Sequence, residues 1–417
     1  MWETLYPLEQ QEKQRTRYTR IAEAFAHHFP GSPWQFFSVP GRTELGGNHT
    51  DHNQGKVLAA SINLDAVAAA GPSGDPIVTV YSEGYPRFYK VNLDRLDPDP
   101  AEVGSTASLI RGIAARFRQL GYAIGGFNAW VHSEVLSGSG LSSSASIEVL
   151  LGAIFSHLFN NGAVAPEEIA RIGQFAENTY FGKPCGLMDQ TACAMGGIIK
   201  IDFRDPQKAE IQPVPFDFSS TGFRLLVVNS GGNHADLTPD YAAIPEEMKS
   251  IARAMGKTCL REVSRDEMLE VLPFLRLQCG DRAILRALHF FEENERVDLQ
   301  VKALAKGNFE GFLEQVRASG ASSLCWLQNG FSPQHPFEQG IPLALAFSEK
   351  YLQSIGKGVC RVHGGGFAGT IQVFMPAAAV EGYESLMATV FGEKATTVLQ
   401  IRNSGIAVFP SGEILIG

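Results

Sequence analysis

The 417-residue chain has few cysteines and no CxxC pair among its six, Cys185, Cys193, Cys259, Cys279, Cys325 and Cys360, which excludes a zinc ribbon and a disulfide scaffold and suits a reducing cytoplasm. It has no basic run. Its 35 lysines and arginines face 44 aspartates and glutamates, a net charge of −9, so nucleic acid is not an expected partner and any anionic ligand must be held locally. No apolar stretch reaches the ~18 residues of a membrane span, because Asn63, Asp65 and Glu148 interrupt the longest ones. The opening MWETLYPLEQQEKQRTRYTR has neither an apolar segment nor a small-residue cleavage site, so no signal peptide is expected. There is no G-x-x-x-x-G-K-[ST] either, so a P-loop is not supported.

What is present is an ordinary globular composition, 44% hydrophobic and 19% charged, in a chain longer than the ~250 to 300 residues that one core usually sustains. Two domains follow, divided near residues 205–222, where KAEIQPVPFDFSST is turn-rich and weakly periodic. Before that division Ile21, Ala24, Phe25, Ala26 and Phe29 share a helical face ended by Pro30-Gly31. WQFFSVP, KVLAASINLDAVAAA, PIVTVYS and RFYKVNL read as mainly antiparallel strands. SLIRGIAARFRQLG, SSASIEVLLGAIFSHLF and PEEIARIGQFAENTYFG read as helices around the strand FNAWVHSEV. After it, GGIIKIDF and FRLLVVNS flank the division as strands. A helical region then leads to the strands GVCRVH, TIQVFMP and TTVLQIRNSGIAVF.

Three segments carry chemistry. In the first, Gly41 to Gly55, arginine, glutamate, asparagine, histidine and aspartate crowd a loop between two strands, the donor and acceptor density that a polyhydroxylated ligand needs; a solvated turn would also accommodate them. The second runs from Val135 to Ser146, between a strand and a strong helix. Gly138 and Gly140 permit close backbone approach, the helix start favours phosphate, and Ser144 in the first turn offers a hydroxyl to a phosphate oxygen or a magnesium ion. A serine-rich capping loop without a ligand has the same composition. The third, Gly364-Gly365-Gly366-Phe367-Ala368-Gly369, matches G-x-G-x-x-G. The alternating Thr370-Ile371-Gln372-Val373-Phe374 after it is a strand and not the helix that a dinucleotide site requires. His27, His28, His157, His289 and His335 lack metal-ligand spacing and read as surface or core histidines, and Cys185 as a small buried thiol.

In this order the three segments resemble the motifs of the GHMP small-molecule kinases, and the first resembles the galactokinase signature in particular. Gly41, Arg42, Leu45, Gly47, His49, Thr50, Asp51, Asn53 and Gly55 match in the first; GLSSSAS, Gly140 to Ser146, matches in the second; the third matches with Ala368 in place of a glycine. Pro184-Cys185-Gly186-Leu187-Met188-Asp189-Gln190 is similar to the family segment that carries its catalytic aspartate, and Glu177 lies twelve residues before Asp189, as the family's magnesium-ligating glutamate does.

The resemblance implies an α/β fold of α+β type with the site in the cleft between two domains, residues 1–210 and 211–417, with the last strands free to cross back. It implies transfer of the γ-phosphoryl group of ATP to the anomeric hydroxyl of a sugar. Asp189 and Arg42 would be catalytic, and Asn48, His49, Asp51, Gly186 and Tyr241 would bind the sugar. Gly138, Ser139, Gly140, Leu141, Ser142, Ser143 and Ser144 would bind the nucleotide; Gly364, Gly365, Gly366 and Gly369 form the third motif; Ser144 and Glu177 would hold Mg²⁺. The partners are then small molecules, sugar and ATP, with no nucleic acid or membrane, in a monomer or weak homo-oligomer. Three departures bear on specificity: Asn48 replaces a sugar-binding glutamate, His52 a tyrosine, and Thr106 the usual tryptophan beside the adenine. The segment SLCWLQNGFSPQHPFEQG also lacks the family's DDYEVS pattern. An amide at position 48 relaxes the bar against a C6 carboxylate, so a kinase for another hexose or a uronic acid such as galacturonate is the alternative to galactose. A non-catalytic galactose sensor is a third reading, opposed by the intact Ser144-Ala145 and Asp189.

Overall fold

A computed structural model describes residues 2–136, 138, 140–183, 185–205, 208–232, 237–367 and 369–413. Ser139, expected at the nucleotide, lies outside the described residues, as do Pro184 and Ala368.

Twelve strands among the described residues form two sheets. The first half supplies β1 (Gln35–Gly46), β2 (Lys56–Pro72), β3 (Ile77–Ser82), β4 (Phe88–Asn92), β5 (Phe127–Ser133), β6 (Ile198–Asp202) and β7 (Glu210–Pro213). The second supplies β8 (Phe223–Asn229), β9 (Val359–Val362), β10 (Thr370–Pro376), β11 (Thr396–Leu399) and β12 (Ala407–Pro410). The larger sheet runs β12-β1-β2-β5-β3-β4, with β6 on β2 and β7 on β6; the smaller runs β11-β8-β10-β9. Every pairing is antiparallel except β3 with β5. The last two strands therefore part company: β11 stays in the second sheet, and β12 returns to pair with β1, Phe36 opposite Phe409.

The near-continuous apolar run of β2 is explained by burial on both faces. Alternate residues face opposite ways. Ala66, Ala68 and Ala70 pack with Ile113, Val149 and Ile172 of the helices Thr106–Gln119, Ser143–Asn160 and Pro166–Ala176. Val67 and Ala69 pack with Tyr18, Ile21 and Phe25 of the helix Leu8–His28. The second sheet repeats this device in β8. Leu225 and Val227 join a core with Leu45, Leu58 and Leu141 of the first half, and Leu226 and Val228 face Ile341, Leu345 and Met387. That shared core fixes the two halves against each other.

Beneath the β1–β12 pairing sits a buried ionic knot. Asp65, fully buried, accepts from Arg17 at 2.6 Å, Arg402 at 3.0 Å, and the hydroxyls of Tyr6 and Ser38, each at 2.5 Å. Burial alone would raise this carboxyl, but the two guanidiniums outweigh it and hold Asp65 below its ordinary value.

Two expectations need adjusting. The first glycine-rich segment is a loop only from Gly47 onward, because β2 starts at Lys56 and its first residues pair back onto Arg42 to Gly46 across two register shifts. The turn-rich stretch near the division contains β7, which pairs with β6.

Candidate active site

The helix Asp281–Ala305 presents one face to the backbone of the first glycine-rich segment. His289 Nε2 meets the Asn48 carbonyl at 2.9 Å, Glu293 accepts from the amides of Gly47 and Asn48 at 3.1 and 3.4 Å, and Asn294 accepts from Lys56 N at 2.6 Å. Gln300 donates to the Leu45 carbonyl at 3.0 Å. Positions 289, 293, 294 and 300 recur at helical spacing, so one rigid element from the second half shapes a loop from the first. Glu293 is fully buried, and His289 with Arg296 and Arg361 overcomes the burial that would raise it, leaving it below its ordinary value.

Above that loop lies a chamber of about 480 Å³, lined by Asn48, His49, Asp51, Gly186, Tyr241 and Gly364 to Gly366 among others. The structure brings all five expected sugar residues together here. Asn48 is 1% exposed, and protein groups take both ends of its amide: Nδ2 donates to Gly364 O at 2.7 Å and Glu44 at 3.1 Å, and Oδ1 accepts from Asn329 at 3.0 Å. His49 reaches Gly365 O through Nε2 at 2.9 Å. Burial brings this imidazole down to about 4, so it is neutral. Asp51 Oδ2 abuts Gly186, where an added Cβ would lie 2.2 Å from it; only glycine fits that contact. Tyr241 donates to Gly366 O at 3.0 Å, and burial pushes its phenol up to about 12. Gly369 lies apart, its carbonyl accepting from Ser230 at 2.7 Å beside the end of β8.

A second chamber, about 590 Å³, is lined by Ser142, Ser143, Ser144, Thr106, Tyr85, Arg87, Tyr89 and Phe181 among others. Ser142 takes a left-handed φ of 61° before the helix Ser143–Asn160, whose first amides have no intrahelical acceptor and mark an anion-binding end. Ser144 is exposed there. Leu141 turns its side chain into the core beside Leu45 and Leu58, and its carbonyl accepts from Arg42 N at 3.1 Å. Around Thr106, which stands in place of the family's tryptophan, Leu109, Leu136, Ile147 and Phe181 supply apolar surface, and Tyr85, Tyr89 and Arg87 from the β3–β4 hairpin supply aromatic and cationic surface.

The two chambers share five lining residues, Arg42, Gly138, Gly140, Lys183 and Asp189. Asp189, in the first turn of the helix Met188–Met195, accepts on Oδ1 from Arg42 Nε and Nη2, both at 2.8 Å, and on Oδ2 from Ser142 at 2.5 Å. Arg42 also donates through Nη1 to Gly140 O. Burial opposes the Arg42 charge, but Asp189 outweighs it and holds the guanidinium above its ordinary value. Such an arrangement presents a carboxylate to a hydroxyl in one chamber and a permanent cation to phosphate oxygens from the other.

Two family models match this chain: the GHMP kinases N terminal domain over residues 108–197, and the galactokinase galactose-binding signature over residues 23–72. A galactokinase of Streptomyces coelicolor is 31% identical over 91% of this chain and 95% of its own length. The chain belongs to the galactokinase family. A galactokinase of Actinobacillus pleuropneumoniae is 30% identical over 90% of this chain and 94% of its own. The structure of Lactococcus lactis galactokinase complexed with galactose superposes with a TM-score of 0.78 at 27% identity, covering 93% of this chain and 99% of that one. Mevalonate kinase of Methanococcus jannaschii shares the fold, with a TM-score of 0.62 at 16% identity over 89% of this chain and 99% of that one. As in other GHMP kinases the fold is mixed α/β.

Within this galactokinase-family site, Glu177 lines neither chamber. It is 3% exposed at the start of the π-helical turn Glu177–Phe181, and one amide bridges it to a second buried carboxylate: Gln190 Nε2 donates to Glu177 at 3.0 Å and to Glu148 at 2.9 Å. Glu148 Oε1 has no partner among the described residues, and burial with Glu177 nearby raises that carboxyl well above its ordinary value. Burial, then Glu177, also raises the Cys185 thiol, so it is a poor nucleophile. Glu44, Asn329, Lys183 and the Ser142–Asp189 contact were missed in the sequence. Glu44 and Ser142 lie inside recognised motifs, whereas Asn329 arrives from a segment with no local signal.

Proposed function

We propose that this chain transfers the γ-phosphoryl group of ATP to the anomeric hydroxyl of D-galactose, giving galactose 1-phosphate and ADP. The observation that carries the reading is the position of Asp189, held by Arg42 and Ser142 where a sugar-sized polar chamber meets a serine-lined one. Asp189 orients the anomeric hydroxyl and takes its proton. Arg42 fixes Asp189 and faces the phosphoryl oxygens, so positioning and charge neutralisation do most of the work. Asn48, His49, Asp51, Gly186 and Tyr241 form the sugar wall. Gly138, Gly140 and Ser142 to Ser144 form the phosphate cradle, with the Leu141 backbone linking it to Arg42.

Mg²⁺ neutralises the nucleotide phosphates when bound, and Ser144 and Glu177 would hold it. The donor set fits: Glu148 Oε1 is a buried carboxyl oxygen without a partner among the described residues, and Glu148 and Glu177 share the single donor Gln190 Nε2, so a cation would supply the charge that this carboxyl pair lacks. Magnesium typically takes one or two protein carboxylates and completes its shell with phosphate and water. The two lobes are residues 1–210 and 211–417, with the rest of β7 and β12 joined to the sheet of the first, and the chain works in the cytoplasm as a monomer or weak homo-oligomer.

Galactose is favoured over a uronic acid. The permanent cations lining the sugar chamber, Arg42 and Lys183, both stand at its junction with the second chamber, and the sugar chamber beyond carries Asp51. A C6 carboxylate would find like charge there. ADP release measured against galactose, glucose and galacturonate, with phosphorus NMR to place the new ester, tests the reading. Galactose should react at the anomeric oxygen and the other two poorly; phosphate transfer to galacturonate alone would overturn the sugar assignment.

A further inference from the structure

Of the five residues common to both chambers, only Arg42 and Lys183 are cations. Arg42 is buried and its guanidinium is engaged: Nε and Nη2 hold Asp189, and Nη1 holds Gly140 O. Lys183 differs in each respect. Its side chain is 66% exposed, and its ion-pair partner among the described residues is Glu177 Oε1 at 3.8 Å, too long for a hydrogen bond. Its backbone is nonetheless fixed, because the amides of Gly182 and Lys183 both donate to the Glu177 carbonyl, at 3.0 and 3.2 Å, closing the π-helical turn. Such turns recur at functional sites. An anchored main chain thus carries a flexible four-carbon arm with three rotatable donors to the junction that both chambers border.

We propose that Lys183 is a catalytic residue whose ammonium contacts the phosphoryl group during transfer, a proposal that rests on the phosphoryl-transfer reading above. In that step the bond between the γ-phosphorus and the bridging oxygen of ADP breaks, and a bond from phosphorus to the anomeric oxygen forms. The hydroxyl proton passes to Asp189. Lys183 keeps its three protons and offsets the negative charge spread over the three equatorial oxygens, a task that Arg42, tied to Asp189, shares only in part.

Full-length Lys183→Ala, Lys183→Met and Lys183→Arg test this, and the exposure of the side chain means that folding is not at stake. In the Ala and Met variants kcat should fall about 10²-fold or more, while KM for galactose stays within about twofold, the signature of an interaction made in the transition state. Lys183→Arg should recover most of the loss. Inhibition by ADP with aluminium fluoride and galactose, which mimics the transferring group, should weaken by the same factor as kcat/KM, with the affinity for ADP alone unchanged. Retention of kcat within a few-fold in Lys183→Met refutes the proposal. So does a loss that Lys183→Arg does not rescue while the fluoride complex is undiminished, since Lys183 would then only screen Glu177. A wild-type chain that phosphorylates no sugar would sink the underlying function as well, whereas an active wild type with an active Lys183→Met sinks the Lys183 role alone.

Discussion

Asn48→Glu restores the residue expected at the sugar in galactokinases, yet the contacts of Asn48 make it first a stability experiment. The amide now donates to Glu44 and to the Gly364 carbonyl in a site 1% exposed, and a carboxylate can do neither. At the 3.1 Å that separates Asn48 Nδ2 from Glu44 Oε1, two carboxylates would repel by about 5 kcal/mol at an effective dielectric of about 20. Binding one proton is cheaper. At about pH 7.5 it costs about 4 kcal/mol, and at about pH 5.5 about 2 kcal/mol, taking ~1.4 kcal/mol per pH unit above an ordinary glutamate value of ~4.3. Burial already raises Glu44 against the pull of Arg361 and Arg42, so the folded state binds this proton more tightly than the unfolded chain does. The associated stability is fully present below the unfolded carboxylate range and is lost as pH rises through the folded value. Asn48→Glu should therefore unfold well below the wild type at pH 7.5, with a deficit of a few kcal/mol that shrinks by about half at pH 5.5. Urea unfolding of both proteins at the two pH values reads this directly. Equal stability at both, accompanied only by a changed ranking of sugars, would refute the argument that Glu44 and Gly364 set the cost of a carboxylate at position 48.

Asp189→Asn should lower kcat by at least ~10²-fold with sugar and nucleotide affinity retained, because the amide keeps shape but cannot take the hydroxyl proton; near-normal turnover in pure protein would remove Asp189 from that role. Arg42→Lys should also be costly, since a point ammonium cannot reproduce the planar fork in which Nε and Nη2 hold Asp189 Oδ1 while Nη1 holds Gly140 O; steady-state kinetics with the fold checked by circular dichroism decides it. Thermal stabilisation by ATP with Mg²⁺ should be reduced in both Ser144→Ala and Glu177→Ala, and an undiminished shift in both excludes them as metal ligands. Gly186→Ala would place a Cβ 2.2 Å from Asp51 Oδ2 and should raise KM for galactose far more than KM for ATP.

Strand and helix positions were largely legible because apolar residues recur at periods of two or 3.6, and the continuous run of β2 marked a strand covered on both faces. The three motifs were legible because each concentrates its chemistry in a few neighbouring residues. What they touch was not. Asn48 reads locally as a ligand group, and only the fold shows Glu44, Gly364 and Asn329 closing around it. The helix holding the first glycine-rich segment is 238 to 255 residues away in sequence, and its His289 reads as an ordinary core histidine because its role is a backbone contact. Leu141 matches a nucleotide motif by letter, but its apolar side chain follows the core.

The return of β12 to β1 has a consequence for the order in which the molecule can be made. During synthesis the first sheet emerges with one edge of β1 unpaired over Gln35 to Ser38, and Asp65 has only one of its two guanidinium partners until Arg402 leaves the ribosome. An open edge is a template for wrong pairing, and a buried carboxylate short of a partner is costly. The amino-terminal lobe therefore cannot reach its final state as an independent unit ahead of the rest, as domains usually do. A nascent chain stopped before residue 400 should be protease-sensitive in β1 and the helix Leu8–His28, and supplying residues 396–413 as a separate peptide should restore protection to both.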